Sequence, residues 1–219
     1  MRIGVISDVH ANHPALQTVL DDMPTVDRIV CAGDVVGYYP WPAECVAAVR
    51  ERDIPCVQGN HDRAVGTDDP FRFNPAAETG VEFAREALSS EQRSWLAALP
   101  EHRTVADGRC RIVHGHPDDP DRYTYPEDFG PHMLAGETAL VLGHTHVQAA
   151  ETFDDGLIVN PGSVGQPRDG DPRAAYAVID LDDRTVDLHR VSYDIDAVIE
   201  RVDAVGLPRS LGTRLRDGR

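Results

Sequence analysis

Lysine is absent from the chain. All 21 basic residues are arginine, set against 37 acidic residues, for a formal net charge of −16 over 219 residues. Aspartate far outnumbers glutamate. A surface of that sign repels nucleic acid and anionic membranes, so neither is expected as a partner. Two origins fit the composition. One is adaptation to a high-salt cytoplasm, where screening is nearly complete beyond ~3 Å at molar salt. The other is GC-rich codon usage, which favours arginine and aspartate. Neither bears on the reaction.

Paired cysteines are lacking as well. Cys31, Cys45, Cys56 and Cys110 are widely spaced and form no CxxC, which argues against a zinc ribbon or a disulfide framework. Cys31 and Cys56 fall in apolar, strand-like runs, where a free thiol packs as a small hydrophobe. No apolar run approaches the ~20 residues of a membrane-spanning helix. The opening residues Met1 to Ile6 run straight into a strand-like segment, without a charged leader or a small-residue cleavage site. A cytoplasmic protein is the expectation. Internal repeats and low-complexity blocks are also missing. A hydrophobic content of 41% over this length suits one domain with a sizeable core.

What is present is an alternation of short apolar strands and amphipathic helices, the pattern of an α/β arrangement with parallel pairing. Strands are expected at 2–7, 27–32 and 54–57, with helices at 14–23 and 42–52 between them. The middle reads as a helical pair over 74–99, opened by Asn74-Pro75 as N-cap and first-turn residue and by Ser90-Glu91. Strands at 103–106 and 109–114 are joined by Asp107-Gly108, a hairpin signal. A Pro- and Asp-rich loop at 117–126 precedes a strand at 139–142. Segments 148–153, 157–160, 174–180 and 185–192 read as successive antiparallel strands, and a closing helix covers 195–205. The expected organisation is a single domain over 1–206, with a helical insertion at about 63–101 and a loose tail at 207–219.

Asp8, His10, Asp34, Asn60, His114, His144 and His146 all fall at or just past the C-terminal ends of these strands. In open α/β sheets that edge is where ligand sites form. Seven nitrogen and oxygen donors without a cysteine make a hard-to-borderline set. They suit manganese, iron, zinc or cobalt and are too rich in imidazole for calcium or magnesium. They are too many for one tetrahedral ion and suit two ions sharing a carboxylate. Each piece alone is weak, since Asp-x-His and Gly-Asp arise often by chance. The force lies in the set, each piece occurring behind a strand.

Taken in order, Asp8-Val9-His10, Gly33-Asp34, Gly59-Asn60-His61-Asp62, His114-Gly115-His116 and Gly143-His144-Thr145-His146 resemble the signature of the calcineurin-like metallophosphoesterases. Asn160-Pro161-Gly162-Ser163 is similar to the small bacterial and archaeal phosphodiesterase branch of that family. The resemblance runs from Arg2 to about Asp180 and implies a four-layer αββα sandwich, two mixed β-sheets flanked by helices. It implies one metal held by Asp8, His10, Asp34 and His146, and a second held by Asp34, Asn60, His114 and His144. Manganese is the first expectation, with iron, zinc, cobalt or nickel as alternatives. The departures are the helical pair and the loop after His116, and these bear on the substrate.

The implied activity is hydrolysis of a phosphodiester or phosphomonoester in a small, nucleotide-like substrate, with a dinucleoside polyphosphate hydrolase as the alternative. Two divalent ions lower the pKa of a bridging water from about 15.7 towards about 7, and the hydroxide attacks phosphorus. His61, outside both ligand sets, is expected to donate a proton to the leaving oxygen or to stabilise charge there. Asp62 is expected to hold the His61 imidazole through its other nitrogen and to raise its pKa. Arg168 is a candidate for a fork onto a substrate phosphate, with an ion pair to Asp169 or Asp171 as the competing reading. His116 either lines the site or plays a structural role. Tyr38, with Tyr39 and Trp41, forms either an aromatic wall or a packing cluster at a helix entry. A non-catalytic scaffold on the same fold, like the retromer subunit, is set aside because every ligand position is retained. A nuclease is opposed by the acidic surface. Nothing in the sequence forbids a homo-oligomer.

Overall fold

The computed structural model describes residues 1–67 and 73–219. In chain order the elements are β1 (Arg2–Ile6), α1 (His13–Asp22), β2 (Arg28–Cys31), α2 (Pro42–Glu51), α3 (Asn60–Thr67), α4 (Pro75–Ala87), α5 (Ser90–Ala97), β3 (His102–Val105), β4 (Cys110–Val113), β5 (Ala139–Val141), β6 (Gln148–Phe153), β7 (Gly156–Pro161), β8 (Ala174–Asp180), β9 (Thr185–Val191), α6 (Ile195–Ala204) and α7 (Arg209–Thr213). The helix starts follow their chemistry. Asn12 and Asn74 accept from the backbone N–H groups of Ala15 and Ala77, each ahead of a first-turn proline, and Ser89 with Gln92 closes a capping box.

The strands form two mixed sheets, a four-stranded one ordered β2-β1-β8-β9 and a five-stranded one ordered β3-β4-β5-β7-β6. Alternation along each strand builds the layers. Ile3, Val5, Val30, Ile112, Val141, Leu157, Val159 and Ile179 point between the sheets and form one buried cluster. Ile6 and Tyr176 turn outward against Leu16 and Val19 of α1 and Val46 and Val49 of α2. On the far face of the five-stranded sheet, Val113, Leu140, Leu142 and Ile158 are covered by Met133, Phe129 and Leu134. Those three come from the stretch holding two short 3₁₀ turns, Pro126–Asp128 and Pro131–Met133. The outer layer is therefore thinner on this side. Among the described residues no helix is long and apolar enough to cross a membrane.

Four expectations change. The third strand reduces to one parallel bridge between Cys31 and Cys56. The helical insertion starts earlier than residue 63, because α3 begins at Asn60, and its part at 68–72 lies outside the described residues. The last four strands are not one antiparallel run. β6 and β7 form a hairpin in one sheet, with β7 parallel to β5, while β8 and β9 form a hairpin in the other. Nor is the tail loose: Leu207, Leu211 and Leu215 are buried against Tyr39, Val198 and Val202. Leu211 and Leu215, four apart, lie on α7 and the 3₁₀ turn after it, and Leu207 packs beside them from the segment ahead of α7.

Candidate metal centre

The parallel pairs β1–β2 and β4–β5 each bring their C-terminal ends side by side, and the turns that follow are stitched together. Asp8 N–H donates to Gly33 O at 3.0 Å, His10 N–H to Asp34 O at 2.9 Å, and Gly143 N–H to His114 O at 2.8 Å. The chain bends sharply here. Asp8, His10, Asp34, His144 and His146 have φ values of 52°, 50°, 53°, 67° and 61°. Non-glycine residues in the left-handed region cost of order ~1–3 kcal/mol each and persist only where the surroundings hold them. Gly59 is required for the same closeness, because a Cβ there would meet Asp34 Oδ1 at 2.0 Å.

All seven residues expected as ligands come together, each buried. Three overlapping groups have one donor atom per residue within 4.8 Å of one another: Asp8, His10 and His146; His10, Asp34 and His61; Asp34, His114 and His144. Asp34 Oδ2 lies 3.6 Å from His10 Nε2 and 3.4 Å from His114 Nε2, between the outer groups. Asn60 Oδ1 faces His114 Nε2 at 3.2 Å.

The imidazoles show what the set is built for. His10, His114 and His146 each place Nδ1 against a backbone carbonyl, of Val36 at 3.2 Å, Ala32 at 2.7 Å and Gln166 at 2.5 Å. His144 instead places Nε2 against the carbonyl of Asp121 at 3.2 Å. A carbonyl only accepts, so the outward nitrogen of each ring carries the hydrogen and a neutral ring keeps its lone pair on the inward nitrogen. The inward nitrogens then face one another, His10 with His146 at 3.0 Å and His114 with His144 at 3.1 Å. Asp8 Oδ1, 3.1 Å from His146 Nε2, is buried without a hydrogen-bond partner. Such converging lone pairs repel unless a cation sits among them, either a proton on one ring or a metal ion. The residues fit divalent metal ions.

The electrostatics agree. Burial opposes ionisation of Asp8 and Asp34, yet the surrounding imidazoles hold both carboxyls below the usual carboxylate range. Burial pushes His146 down to about 3 and His144 down to about 4, keeping them neutral. His114 goes the other way: burial lowers it, but the Asp34 carboxylate outweighs burial and lifts it to about 10.

The other expected residues divide. His61 lines a cavity of about 80 Å³ together with Asp34, Asn60, His144, His146, Tyr38, Phe73, Tyr123 and Arg168. Its ring packs against His10, Tyr38 and Phe73, with centroids 4.8, 4.8 and 4.5 Å away. Asp62 does not hold that ring. Its carboxylate accepts from Val36 N–H at 3.1 Å and Gly59 N–H at 3.2 Å, while His61 Nδ1 is buried without a partner. Burial lowers the His61 pKa well below its ordinary value, opposite to the expected rise, and pushes Asp62 up to about 8. The two side chains follow each other on α3, and consecutive helical positions point about 100° apart.

Arg168 donates to Tyr38 Oη at 3.1 Å and to Gln166 Oε1 at 2.8 Å. It pairs with neither expected acid, since Asp169 is bound by Arg190 and Asp171 by Arg173. Tyr38 lines the cavity, whereas Tyr39 is core and Trp41 is a half-buried residue at the start of α2. His116 is not among the lining residues; its Nδ1 accepts from Asp118 N–H at 3.1 Å inside the loop. Sequence reasoning missed the supports. Ser7 Oγ donates to Asp8 Oδ2 at 2.6 Å, Ser163 Oγ to Asp8 O at 2.7 Å, and Asn160 Nδ2 to Gly143 O at 2.7 Å. Position directly before or opposite a ligand was the available signal for Ser7, and the Asn-Pro-Gly-Ser turn for the others.

Residues 1–184 match the model of the calcineurin-like phosphoesterase superfamily domain. Among curated proteins, an uncharacterized protein of Methanocaldococcus jannaschii is 32% identical, the alignment covering 99% of this chain and 98% of that one. The phosphodiesterase YfcE of Escherichia coli is 27% identical over 83% of this chain and 89% of its own. Among solved structures, a metallophosphoesterase from Sphaerobacter thermophilus is 38% identical with a TM-score of 0.84, covering 100% of this chain and 99% of that one.

Proposed function

The chain belongs to the calcineurin-like phosphoesterase superfamily, and on that footing we propose that it is a binuclear metal-dependent hydrolase of phosphodiester or phosphomonoester bonds in small, nucleotide-like molecules. The observation that carries this reading is the position of Asp34 Oδ2, 3.6 Å from His10 Nε2 and 3.4 Å from His114 Nε2. One carboxylate oxygen there serves two donor groups. The first ion belongs to Asp8, His10, Asp34 and His146, the second to Asp34, Asn60, His114 and His144. The imidazole-rich set suits manganese, with iron, zinc, cobalt and nickel as alternatives. When bound, such a pair supplies Lewis acidity, acidifying water and neutralising phosphoryl oxygens.

The protein's own groups do the rest. The carbonyls of Val36, Ala32 and Gln166 hold three imidazoles with Nε2 facing inward, so the rings need no reorientation on binding, though His114 must lose its Nε2 proton. Gly37 permits His61 its place, because a Cβ there would meet His61 Nδ1 at 2.4 Å. With Nδ1 buried and the ring kept neutral by burial, Nε2–H of His61 is the group that hydrogen-bonds the leaving oxygen and stabilises its charge. Arg168, unclaimed by any carboxylate among the described residues, takes a non-bridging phosphate oxygen. The similarity to a protein described as a phosphodiesterase supports the ester class.

The test strips the protein with chelator, restores single metals, and compares bis-p-nitrophenyl phosphate, p-nitrophenyl phosphate and diadenosine tetraphosphate. Restored ester hydrolysis is expected. Faster cleavage of the tetraphosphate would move the assignment to phosphoanhydrides, and no hydrolysis with any metal would end it.

A further inference from the structure

Among the described residues exposed aromatic surface is rare, and Tyr123, one of its bearers, lines the cavity. Among the described residues three large hydrophobic side chains are exposed, and two of them are Tyr123 at 47% and Tyr125 at 40%. Their rings are nearly parallel, at 14° with centroids 6.2 Å apart. Tyr123 in turn stacks on His144, with centroids 4.0 Å apart and 24° between planes. It lines the same cavity as His61 and Arg168. A run of three flat rings thus leads from the metal centre to solvent.

The loop that carries them is fixed in place. Asp121 receives Arg63 Nη2 on both carboxylate oxygens at 2.7 Å, and its carbonyl accepts from His144 Nε2 at 3.2 Å. Pro120 and Arg122 fold back so closely that a Cβ on Gly115 would meet the Pro120 carbonyl at 2.4 Å. The tyrosines are therefore held out by a braced loop that does not bury them. The cavity itself is small, at about 80 Å³. A substituent on a phosphate held there that extends past Tyr123 meets its exposed ring.

We infer that Tyr123 and Tyr125 form a stacking platform for a nucleobase on the substituent of the ester whose phosphoryl group enters the cavity. This rests on the phosphoesterase reading and names the substrate class within it. Exposed aromatic rings bind bases of any sequence through their π-faces, a contact that needs no positive charge.

The test is calorimetric and independent of turnover. Manganese-loaded protein is titrated with a hydrolysis-resistant methylenephosphonate analogue of adenosine monophosphate and with its counterpart lacking the base. The base is expected to tighten binding about tenfold, equivalent to ~1.4 kcal/mol. Combined Tyr123→Ala and Tyr125→Ala substitution brings the affinity ratio to near one, while Tyr123→Phe, which keeps the ring, retains it. A ratio near one in the unmodified protein, a ratio that survives the double alanine substitution, or binding of neither ligand would overturn the platform. An intact ratio in a protein that hydrolyses no ester would sustain the platform and remove the proposed reaction instead.

Discussion

The Nε2 atoms of His10 and His146 face each other across 3.0 Å, and each ring gives its Nδ1 hydrogen to a carbonyl, of Val36 and of Gln166. Two lone pairs at that distance are unfavourable without a cation, so the sequence has fixed, at an energetic cost, an arrangement that metal binding relieves. His114 and His144 also face each other, at 3.1 Å, but there His114, lifted to about 10 by Asp34, carries a proton that metal binding displaces. Stability and function are coupled at this point, and the coupling can be measured.

His61→Ala should lower turnover of bis-p-nitrophenyl phosphate at least about a hundredfold, within the range of general acid–base contributions, while metal content stays unchanged. Steady-state kinetics and elemental analysis on the same preparation decide this. An unchanged rate would remove His61 from the mechanism. Loss of metal would make it a ligand, as its proximity to His10 and Asp34 allows.

Asp62→Ala should act on stability more than on the pH profile of the reaction. Its carboxylate satisfies the N–H groups of Val36 and Gly59, and two buried amides left unpaired cost about 1–3 kcal/mol each. Denaturant unfolding should show that loss. A shifted pH–rate profile with unchanged stability would restore the role in orienting His61.

Metal-free protein should lose stability as pH falls from about 6.5 towards 4. His144 and His146, pushed down to about 4 and 3 by burial, and His61, also lowered by burial, bind protons only after unfolding across that window. Stability therefore rises with pH there. Asp62, pushed up to about 8, works in the opposite direction and offsets one of the three. His114, lifted to about 10, contributes stability that is complete below about pH 6.5 and is lost as pH rises from there through about 10. Thermal melts of chelated protein at pH 6.5 and 4.5 test the sign, and equal melting temperatures would contradict it.

Leu211→Ala should destabilise by about 2–5 kcal/mol, the usual cost of emptying a buried leucine site. Leu211 is 1% exposed and packs with Tyr39, Val198 and Val202. A disordered tail would give no change in a denaturation midpoint.

The donors were legible because each of them directly follows an apolar strand or strand-like run, and strand identity is written in local alternation. What alternation does not encode is the partner. The strands β6 to β9 read alike in sequence, yet β7 pairs with β5 and β8 with β1 across two sheets. Helix α3 was hidden because its residues Asn60–Thr67 carry few apolar side chains. Its start is secured by tertiary bonds instead, with His61 N–H donating to Asp34 Oδ1 at 2.9 Å. The spacing of Leu207, Leu211 and Leu215 was visible, but Gly206, Pro208 and Gly212 among them read as a loop. Tyr123 and Tyr125 gave no signal at all, since only the fold brings residue 123 against residue 144.

Metal stoichiometry against activity addresses the shared carboxylate most directly. Chelator-stripped protein is titrated with manganese while bound metal per chain and hydrolysis of bis-p-nitrophenyl phosphate are followed together, for the unmodified chain and for Asp34→Asn. Two ions per chain, with activity rising as the second binds, and a loss of both occupancy and activity in Asp34→Asn, are expected. Saturation at one ion with full activity, or two ions retained in an active Asp34→Asn protein, would contradict the two-cation centre.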